Sequence, residues 1–306
     1  MGGASRKRIV LTALAAALAI AGVFAVHGWL TTRRAEKEAR QAAEARAAER
    51  RAFLAQFGIV SDGYEDFVAL PPGLPHGQLQ AALGQAMFRE RRLARTPRRT
   101  CAACHLLNEG GTDGRVHGEV ITRPAMNAVF ASVFMHDGSV TNLQNLVRRM
   151  VEDPDFSGAE SLEKAAVRLS ADENLVARFR VAYPDDGLTA SNVVDSVVQY
   201  CRTLVTSGTP FDFYCGGRTN ALDALQQRGM ALFRERKCLS CHDGPALGTL
   251  QVSEGRKVPS LRGVSRRRAF LSKGSCTDLI SVLSYMPGGD LEAPERAALV
   301  SFLKAL

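Results

Sequence analysis

Cys101-Ala-Ala-Cys104-His105 recurs later in the chain as Cys238-Leu-Ser-Cys241-His242. Two thiols spaced by two residues can each form a thioether bond to a haem, and the histidine that follows can bind the iron through its imidazole. The alternative is a structural zinc site, but zinc ribbons and fingers place their ligand pairs much closer together than the roughly 130 residues between these motifs. The spacing therefore predicts two covalently attached c-type haems, with His105 and His242 as axial iron ligands.

The residues around the two motifs repeat as well. Gly84-Gln-Ala-Met-Phe88 precedes the first motif, and Gly229-Met-Ala-Leu-Phe233 precedes the second. After the motifs, the segment from Phe134 to Met150 aligns without a gap with the segment from Phe270 to Met286, so that Phe, Gly, Ser, Thr, Leu and the closing Met coincide. Such self-similarity indicates repeated structural units. We interpret the chain as two copies of one haem-binding unit, each with a helix, a haem motif, a loop and a further helix.

Length and composition allow two modest helical domains. The 306 residues are 46% hydrophobic, which is enough for two cores. Helix starts are marked by the capping box Ser170-Ala-Asp-Glu173 and by Thr189 and Asn220 ahead of apolar runs. Because no run alternates with a period of two between turn signals, the predicted fold class is mainly α. We place a first cytochrome-c-like domain at 78–218 and a second at 219–306.

The N-terminus predicts export and attachment to the inner membrane of a bacterium. Arg6 to Arg8 precede an apolar run of about twenty residues, Ile9 to Leu30, which is long enough to cross a bilayer as one helix. We predict an uncleaved anchor at 1–32 on the periplasmic side, where c-type haem is attached; a cleaved signal peptide and an unanchored periplasmic protein are the alternative. Residues 33–57 are rich in Ala, Glu and Arg and predict a helical stalk, and the Pro-rich segment 58–77 predicts a linker.

The basic charge of the chain follows this division. Residues 1–57 carry ten basic and four acidic side chains, and therefore +6 of the net charge of +8. Because the excess belongs to the anchor and the stalk, it gives no reason to expect a nucleic-acid partner.

Three cysteines, Cys201, Cys215 and Cys276, lie outside the motifs. Cys201 and Cys215 are close enough in sequence to pair across the turn between them, and an oxidising compartment permits a disulfide. The alternative is two separate thiols.

Taken together, these residues resemble the bacterial di-haem cytochrome c peroxidase family, which also includes the MauG-like oxidases. The resemblance covers roughly Gln78 to Leu306 and rests on an ordered set of segments: Gly84 to Phe88, Asn127 to Phe130, Asp137-Gly138, Arg202 to Val205, Pro210 to Tyr214, Gln227 to Gly229, Val258 to Arg262 and Leu299 to Leu303. It implies two cytochrome-c-like domains that face each other, with the second haem accepting electrons and the first meeting peroxide.

The resemblance also implies further iron ligands. In the family, a methionine twelve residues after the glycine of a His-Asp-Gly-like turn binds the second iron, and Met286 stands twelve residues after Gly274. A thioether ligand raises the reduction potential, as an electron-accepting haem needs. The MauG-like branch has tyrosine there, and Tyr285 is adjacent, so a shift of one residue would exchange the two. For the first iron, the family's distal histidine corresponds to His117, with Met150 or an open iron as the alternatives.

Peroxide reduction needs a group that moves a proton between the two oxygen atoms. The family uses a glutamine and a glutamate after the Asp-Gly turn, and these positions fall on Leu146 and Phe156, which cannot do this. His136 stands where the family has a tryptophan between the haems, and Asp155 is the carboxylate next to Phe156. The candidate catalytic side chains are therefore His117, His136 and Asp155.

The leading prediction is an anchored periplasmic oxidoreductase that takes electrons from a small cytochrome c or cupredoxin at the His242/Met286 haem. The electrons pass to the His105 haem, where hydrogen peroxide is reduced to water. One alternative is a di-haem electron-transfer protein without peroxidase turnover, and another is a MauG-like oxidase that acts on a partner protein. A homodimer is compatible with the sequence. Calcium is not expected, because the family's asparagine before Pro124 is missing and Ile121-Thr-Arg precedes the proline instead.

Overall fold

The structure is a computed structural model that describes residues 3–61, 66–94, 99–154, 161–248, 250–288 and 290–306. It divides into two compact units, one made mainly of the N-terminal helix and one that contains both haem motifs. The helices are α1 (Gly3–Ala55), α2 (Gln78–Phe88), α3 (Cys101–Cys104), α4 (Leu143–Glu152), α5 (Leu162–Leu169), α6 (Glu173–Ala182), α7 (Ala190–Cys201), α8 (Pro210–Cys215), α9 (Ala224–Glu235), α10 (Leu279–Leu283) and α11 (Ala293–Lys304). Two short antiparallel hairpins, β1 (Val116–His117) with β2 (Val120–Ile121) and β3 (Val252–Ser253) with β4 (Arg256–Lys257), complete the set. The prediction of a mainly α protein is confirmed.

The first unit is the long helix α1. It covers most of the predicted stalk, where Arg34 pairs with Glu38 at 2.8 Å and Arg40 with Glu44 at 3.0 Å, each one turn apart. Among the residues that the structure describes, no helix combines the length and the apolar character needed to cross a membrane. Most side chains of the apolar run Ile9 to Leu30 lie outside the described set, so the anchor has no support in the structure and stays a prediction.

The second unit is built from two copies of one order of elements. In the first copy the order is α2, α3, the β1–β2 hairpin, a 3-10 turn at Ala128–Phe130, α4 and α7. In the second copy it is α9, a 3-10 turn at Cys238–Ser240, the β3–β4 hairpin, a 3-10 turn at Val264–Arg266, α10 and α11. Helices α5 and α6 are inserted in the first copy only, and α8 connects the copies.

The gapless alignment of the two copies is confirmed at the backbone. Phe134 forms an isolated β-bridge with Val140, and Phe270 forms the same bridge with Cys276. Within these turns Met135 and Leu271, neither of them glycine, both have a positive φ, of 63° and 64°. Such values are uncommon outside glycine, so their coincidence indicates one shared turn rather than chance similarity.

Each copy closes where its first helix crosses its last. A Cβ atom added at Gly84 of α2 would collide with the backbone oxygen of Ser196 in α7, and one added at Gly229 of α9 would collide with that of Ala298 in α11. Only glycine lets the helices approach so closely. Each crossing belongs to its own buried hydrophobic cluster, so the unit has two cores, one for each haem motif.

Residues from the predicted linker 58–77 and from α8 pack against the two copies. Phe67, from the predicted linker 58–77, is buried in the core of the second copy together with Phe211 of α8. The Leu74 backbone N–H donates to the carbonyl oxygen of Arg202 at 3.1 Å.

The disulfide between Cys201 and Cys215 is not formed. Neither residue forms a disulfide: Cys201 is buried in the core of the first copy, and Cys215 packs against the core of the second. The two residues are close in sequence, but α7 and α8 belong to different cores, so the alternative of separate thiols is the one observed.

Candidate haem sites

The first haem motif begins helix α3, and backbone hydrogen bonds orient the ring of His105. Thr100 caps the helix, its hydroxyl accepting from the Ala103 N–H at 3.1 Å. The His105 Nδ1 atom lies 3.2 Å from the carbonyl oxygen of Gly111. Because a carbonyl only accepts, Nδ1 carries the proton and the lone pair is on Nε2. Burial lowers the pKa of His105, which keeps the imidazole neutral and able to bind a metal.

The second motif repeats this arrangement. The Nδ1 atom of His242 lies 3.3 Å from the carbonyl oxygen of Leu247, and burial lowers the pKa of His242 to about 4. Behind the rings, Phe88 lies 6.1 Å from His105 and Phe233 lies 6.4 Å from His242, measured between ring centroids. Two half-buried thiols precede each histidine. This donor set fits a c-type haem in both copies.

The zinc alternative requires the two motifs to share an ion. Among the described residues, the one group whose ligand atoms lie close enough for a metal is Cys104, Asp113 and His117, within 4.8 Å of one another. It contains no residue of the second motif and neither Cys101 nor His105. The geometry therefore gives no four-thiol zinc site.

His117, the candidate distal ligand of the first iron, is held by another side chain. It lies on β1 with Nε2 2.8 Å from Oδ2 of Asp113. Burial alone would raise the pKa of Asp113, but hydrogen bonds from His117 and from the Arg115 N–H outweigh it and lower the pKa. To bind iron through Nε2, His117 must first leave this carboxylate. Ser253 takes the matching place in the second hairpin.

The two candidate methionines occupy the same register in different local structures. Met150 is half-buried within α4, whereas Met286 is half-buried in a turn beyond α10, with its N–H donating to the carbonyl oxygen of Leu283 at 3.2 Å. Tyr285 is 65% exposed. Met286 is thus less exposed than its neighbour Tyr285, which agrees with the alignment that makes Met286 the candidate ligand. Its ligation of iron stays a prediction.

The predicted acid–base region is only partly described. Asp155 and Phe156 lie outside the described residues. Leu146 is half-buried on α4. The nearby Glu152 accepts hydrogen bonds from Arg148 Nη1 at 3.0 Å and from the Leu162 N–H at 3.2 Å. Glu152 thus links α4 to the start of α5, which is a structural role. The described residues therefore do not identify a proton-transfer group for the first site.

His136 lies where the two copies meet. Its carbonyl oxygen accepts from the Lys257 N–H at 2.8 Å, and in the matching place the Ser272 carbonyl oxygen accepts from the Ile121 N–H at 2.9 Å. Its ring Nδ1 lies 2.7 Å from Nη2 of Arg123 and therefore accepts from the guanidinium. Burial and the charge of Arg123 lower the pKa of His136, so the ring is neutral. Sequence reasoning placed His136 between the haems but missed its guanidinium partner.

The fold and the two motifs are those expected of a protein with two c-type haem sites. The sequence model of the di-haem cytochrome c peroxidase family matches residues 78–220. The chain is 29% identical over 279 residues to the cytochrome c peroxidase Ccp of Escherichia coli, covering 78% of this chain and 60% of that protein. It is 27% identical over 290 residues to the methylamine utilization protein MauG of Methylorubrum extorquens, covering 77% of this chain and 82% of that protein.

A solved structure has the same fold. The crystal structure of a MauG-like protein associated with microbial copper homeostasis superposes with a TM-score of 0.68 at 19% identity, over 79% of this chain and 93% of that one. The chain is similar in sequence to the di-haem cytochrome c peroxidase family, whose model matches a little under half of it. The family resemblance inferred from the sequence is confirmed, and this resemblance implies two c-type haems.

Proposed function

We propose that the protein is a periplasmic oxidoreductase that reduces hydrogen peroxide to water with electrons from a small cytochrome c or cupredoxin. The observation that carries this proposal is the pair of equivalent sites, in which the Nδ1 atoms of His105 and His242 each lie within hydrogen-bonding distance of a carbonyl oxygen. The bound haems supply the redox chemistry, in which each peroxide takes up two electrons and two protons and yields two water molecules. Relatives named as cytochrome c peroxidases support the assignment.

Each copy has its own part in this scheme. The pairs Cys101/Cys104 and Cys238/Cys241 hold the two haems through thioether bonds. Met286 completes the coordination of the second iron and gives it the higher potential needed to accept electrons. Peroxide reduction requires a sixth coordination position at the first iron that peroxide can reach. His117 would be the ligand that fills this position and leaves it. Met150 is the alternative ligand. The N-terminal segment 1–32 anchors the protein at the membrane.

An electron-transfer protein without turnover is the second candidate. Two observations favour it: Leu146 stands where the family places an acid–base side chain, and His117 is tied to Asp113. An oxidase that acts on a partner protein is the third, supported by the similarity to MauG.

The first prediction is the number of haems. Mass spectrometry of the exported protein should show two added haems, and the double variant Cys101→Ser/Cys104→Ser should keep one, because the second motif is complete in itself. The control is Cys276→Ala, which removes a buried thiol outside both motifs and should keep two haems. A single haem in the unaltered protein, or zinc in place of haem, would contradict the proposal.

The second prediction separates a peroxidase from an electron carrier. The half-reduced protein should bind peroxide and turn over with an external electron donor. His117→Ala should remove the need for prior reduction, since the glycines at 114 and 118, with φ of 64° and 65°, let the loop around His117 rearrange. Met150→Ala should change little, because its helix is packed.

The opposite result favours the electron carrier. The half-reduced protein would then stay six-coordinate and low-spin and bind neither peroxide nor cyanide, while Met150→Ala would open the site.

A further inference from the structure

Three basic side chains lie where the two copies meet, with Arg267 buried and Arg123 and Lys257 half-buried. Arg123 follows β2 in the first copy, whereas Lys257 on β4 and Arg267 after the last 3-10 turn belong to the second. Arg267 is 9% exposed and donates to the carbonyl oxygens of Ser260 and Arg262 at 2.7 and 3.2 Å. Burial, and then the charge of Arg123, lower the pKa of Lys257 to about 8 and that of Arg267 to about 10. Lys257 and Arg267 therefore both lie within range of the charge of Arg123.

Among the described residues, the cation cluster, Arg123 with Lys257 and Arg267, has no carboxylate counter-ion. Across the described ranges no carboxylate forms a salt bridge with any of the three, and none contributes to their pKa shifts. The Nε atoms of Arg123 and Arg267 are buried without a hydrogen-bond partner among these residues. Buried charges cost several kcal/mol each unless they are paired. The cluster therefore calls for anions that the described chain does not supply.

The cluster borders both haem motifs. The backbone of Arg123 is in hydrogen-bonding range of the His105 ring, and the charge of Arg267 acts on His242. Lys257 lies on the strand that donates its N–H to the carbonyl oxygen of His136. The residues of the cluster are thus neighbours of both motif histidines.

We propose that Arg123, Lys257 and Arg267 bind the propionate carboxylates of the two haems, so that one shared cluster serves both. Each haem carries two propionates, and guanidinium and ammonium groups are the protein's strongest hydrogen-bond donors to carboxylates. Positive charge at the propionates favours the reduced form of the iron, so the cluster raises the reduction potential. This inference rests on the proposed attachment of haem but not on peroxide turnover.

The test compares Lys257→Gln and Arg267→Gln with Arg266→Gln, which removes the same charge from an exposed neighbour. Resonance Raman spectra should show shifted propionate bending bands in the first two variants, and a spectroelectrochemical titration should show a lower potential for at least one haem. Both readouts should be unchanged in Arg266→Gln. The charge-conserving Lys257→Arg should keep the potential of the unaltered protein.

The haem content of each protein is measured first, by a pyridine haemochrome assay. An unaltered protein without haem would remove the proposed function itself. Two haems, with bands and potentials unaffected in both Gln variants, would overturn this inference alone.

If those variants do not accumulate, a crystal structure of the haem-loaded protein decides. Propionate oxygens should lie within hydrogen-bond distance of Lys257 Nζ and of the Arg123 and Arg267 guanidiniums, and propionates directed only to solvent would overturn the proposal.

Discussion

Asp212→Ala is expected to lower the free energy of unfolding by about 3–5 kcal/mol, because it leaves a buried guanidinium without its counter-charge. Arg262 is fully buried, and its Nη2 donates to Oδ1 of Asp212. Asp212 also accepts from the Leu70 N–H at 2.8 Å and from the Thr209 N–H at 3.0 Å. This carboxylate thus joins α8 and the segment before α2 to the second haem copy, and urea denaturation followed by circular dichroism would measure its effect.

The control for this prediction is Asp186→Ala, which removes an exposed carboxylate. Such a surface change should stay within about 0.5 kcal/mol. The double variant Asp212→Ala/Arg262→Met should recover part of the loss, because replacing both members of a buried pair leaves no unpaired charge. If Asp212→Ala matched the control, the pair would not carry the stability assigned to it.

Met286→Ala is expected to lower the reduction potential of the second haem by something on the order of 100 mV or more, given how strongly axial ligation tunes haem iron. The near-infrared band from sulfur to ferric iron at that centre should disappear with it. A spectroelectrochemical titration measures the first effect and an absorption spectrum the second. Met230→Ala is the matched control, since Met230 is a buried core methionine of the same copy.

An unchanged spectrum and potential in Met286→Ala would place the ligand elsewhere. Tyr285→Phe would then be the next variant to measure, because Tyr285 is the neighbour that a shift of one residue would bring to the iron. A change in Tyr285→Phe alone would move the protein toward the MauG-like pattern.

Local sequence was sufficient for the motifs and the duplication. Both haem motifs and the turns at Gly138 and Gly274 are specified by residues close together in the chain, so their geometry follows from short-range rules. Two predicted helix caps were wrong, since Asp172 rather than Ser170 caps α6 and Asp223 rather than Asn220 caps α9. The different settings of Met150 and Met286 also have a local signal, since Pro287 directly follows Met286 and cannot continue a helix. The sequence alignment treated the two methionines as equivalent because it compared residue types and ignored this proline.

The cation cluster could not be predicted in the same way. Arg123 and Lys257 resemble ordinary surface residues in the sequence, and their partial burial arises only when the hairpin of one copy meets the turn of the other. The contact of His117 with Asp113 was also missed, because a four-residue spacing has no fixed geometry in a loop. In both cases the decisive interaction depends on how non-helical backbone is arranged, which periodicity does not reveal.

The crossing of the first and last helix in each copy has a consequence for how the loops can evolve. Residues 89–189 separate α2 from α7, whereas only residues 236–292 separate α9 from α11. Closing the longer loop costs only about 0.5 kcal/mol more in chain entropy, because the cost grows with the logarithm of loop length. The first copy can therefore accept whole inserted helices at little thermodynamic cost while its glycine crossing stays the same. New segments can therefore add new surfaces around the first haem motif without any change in the α2–α7 crossing that supports the motif.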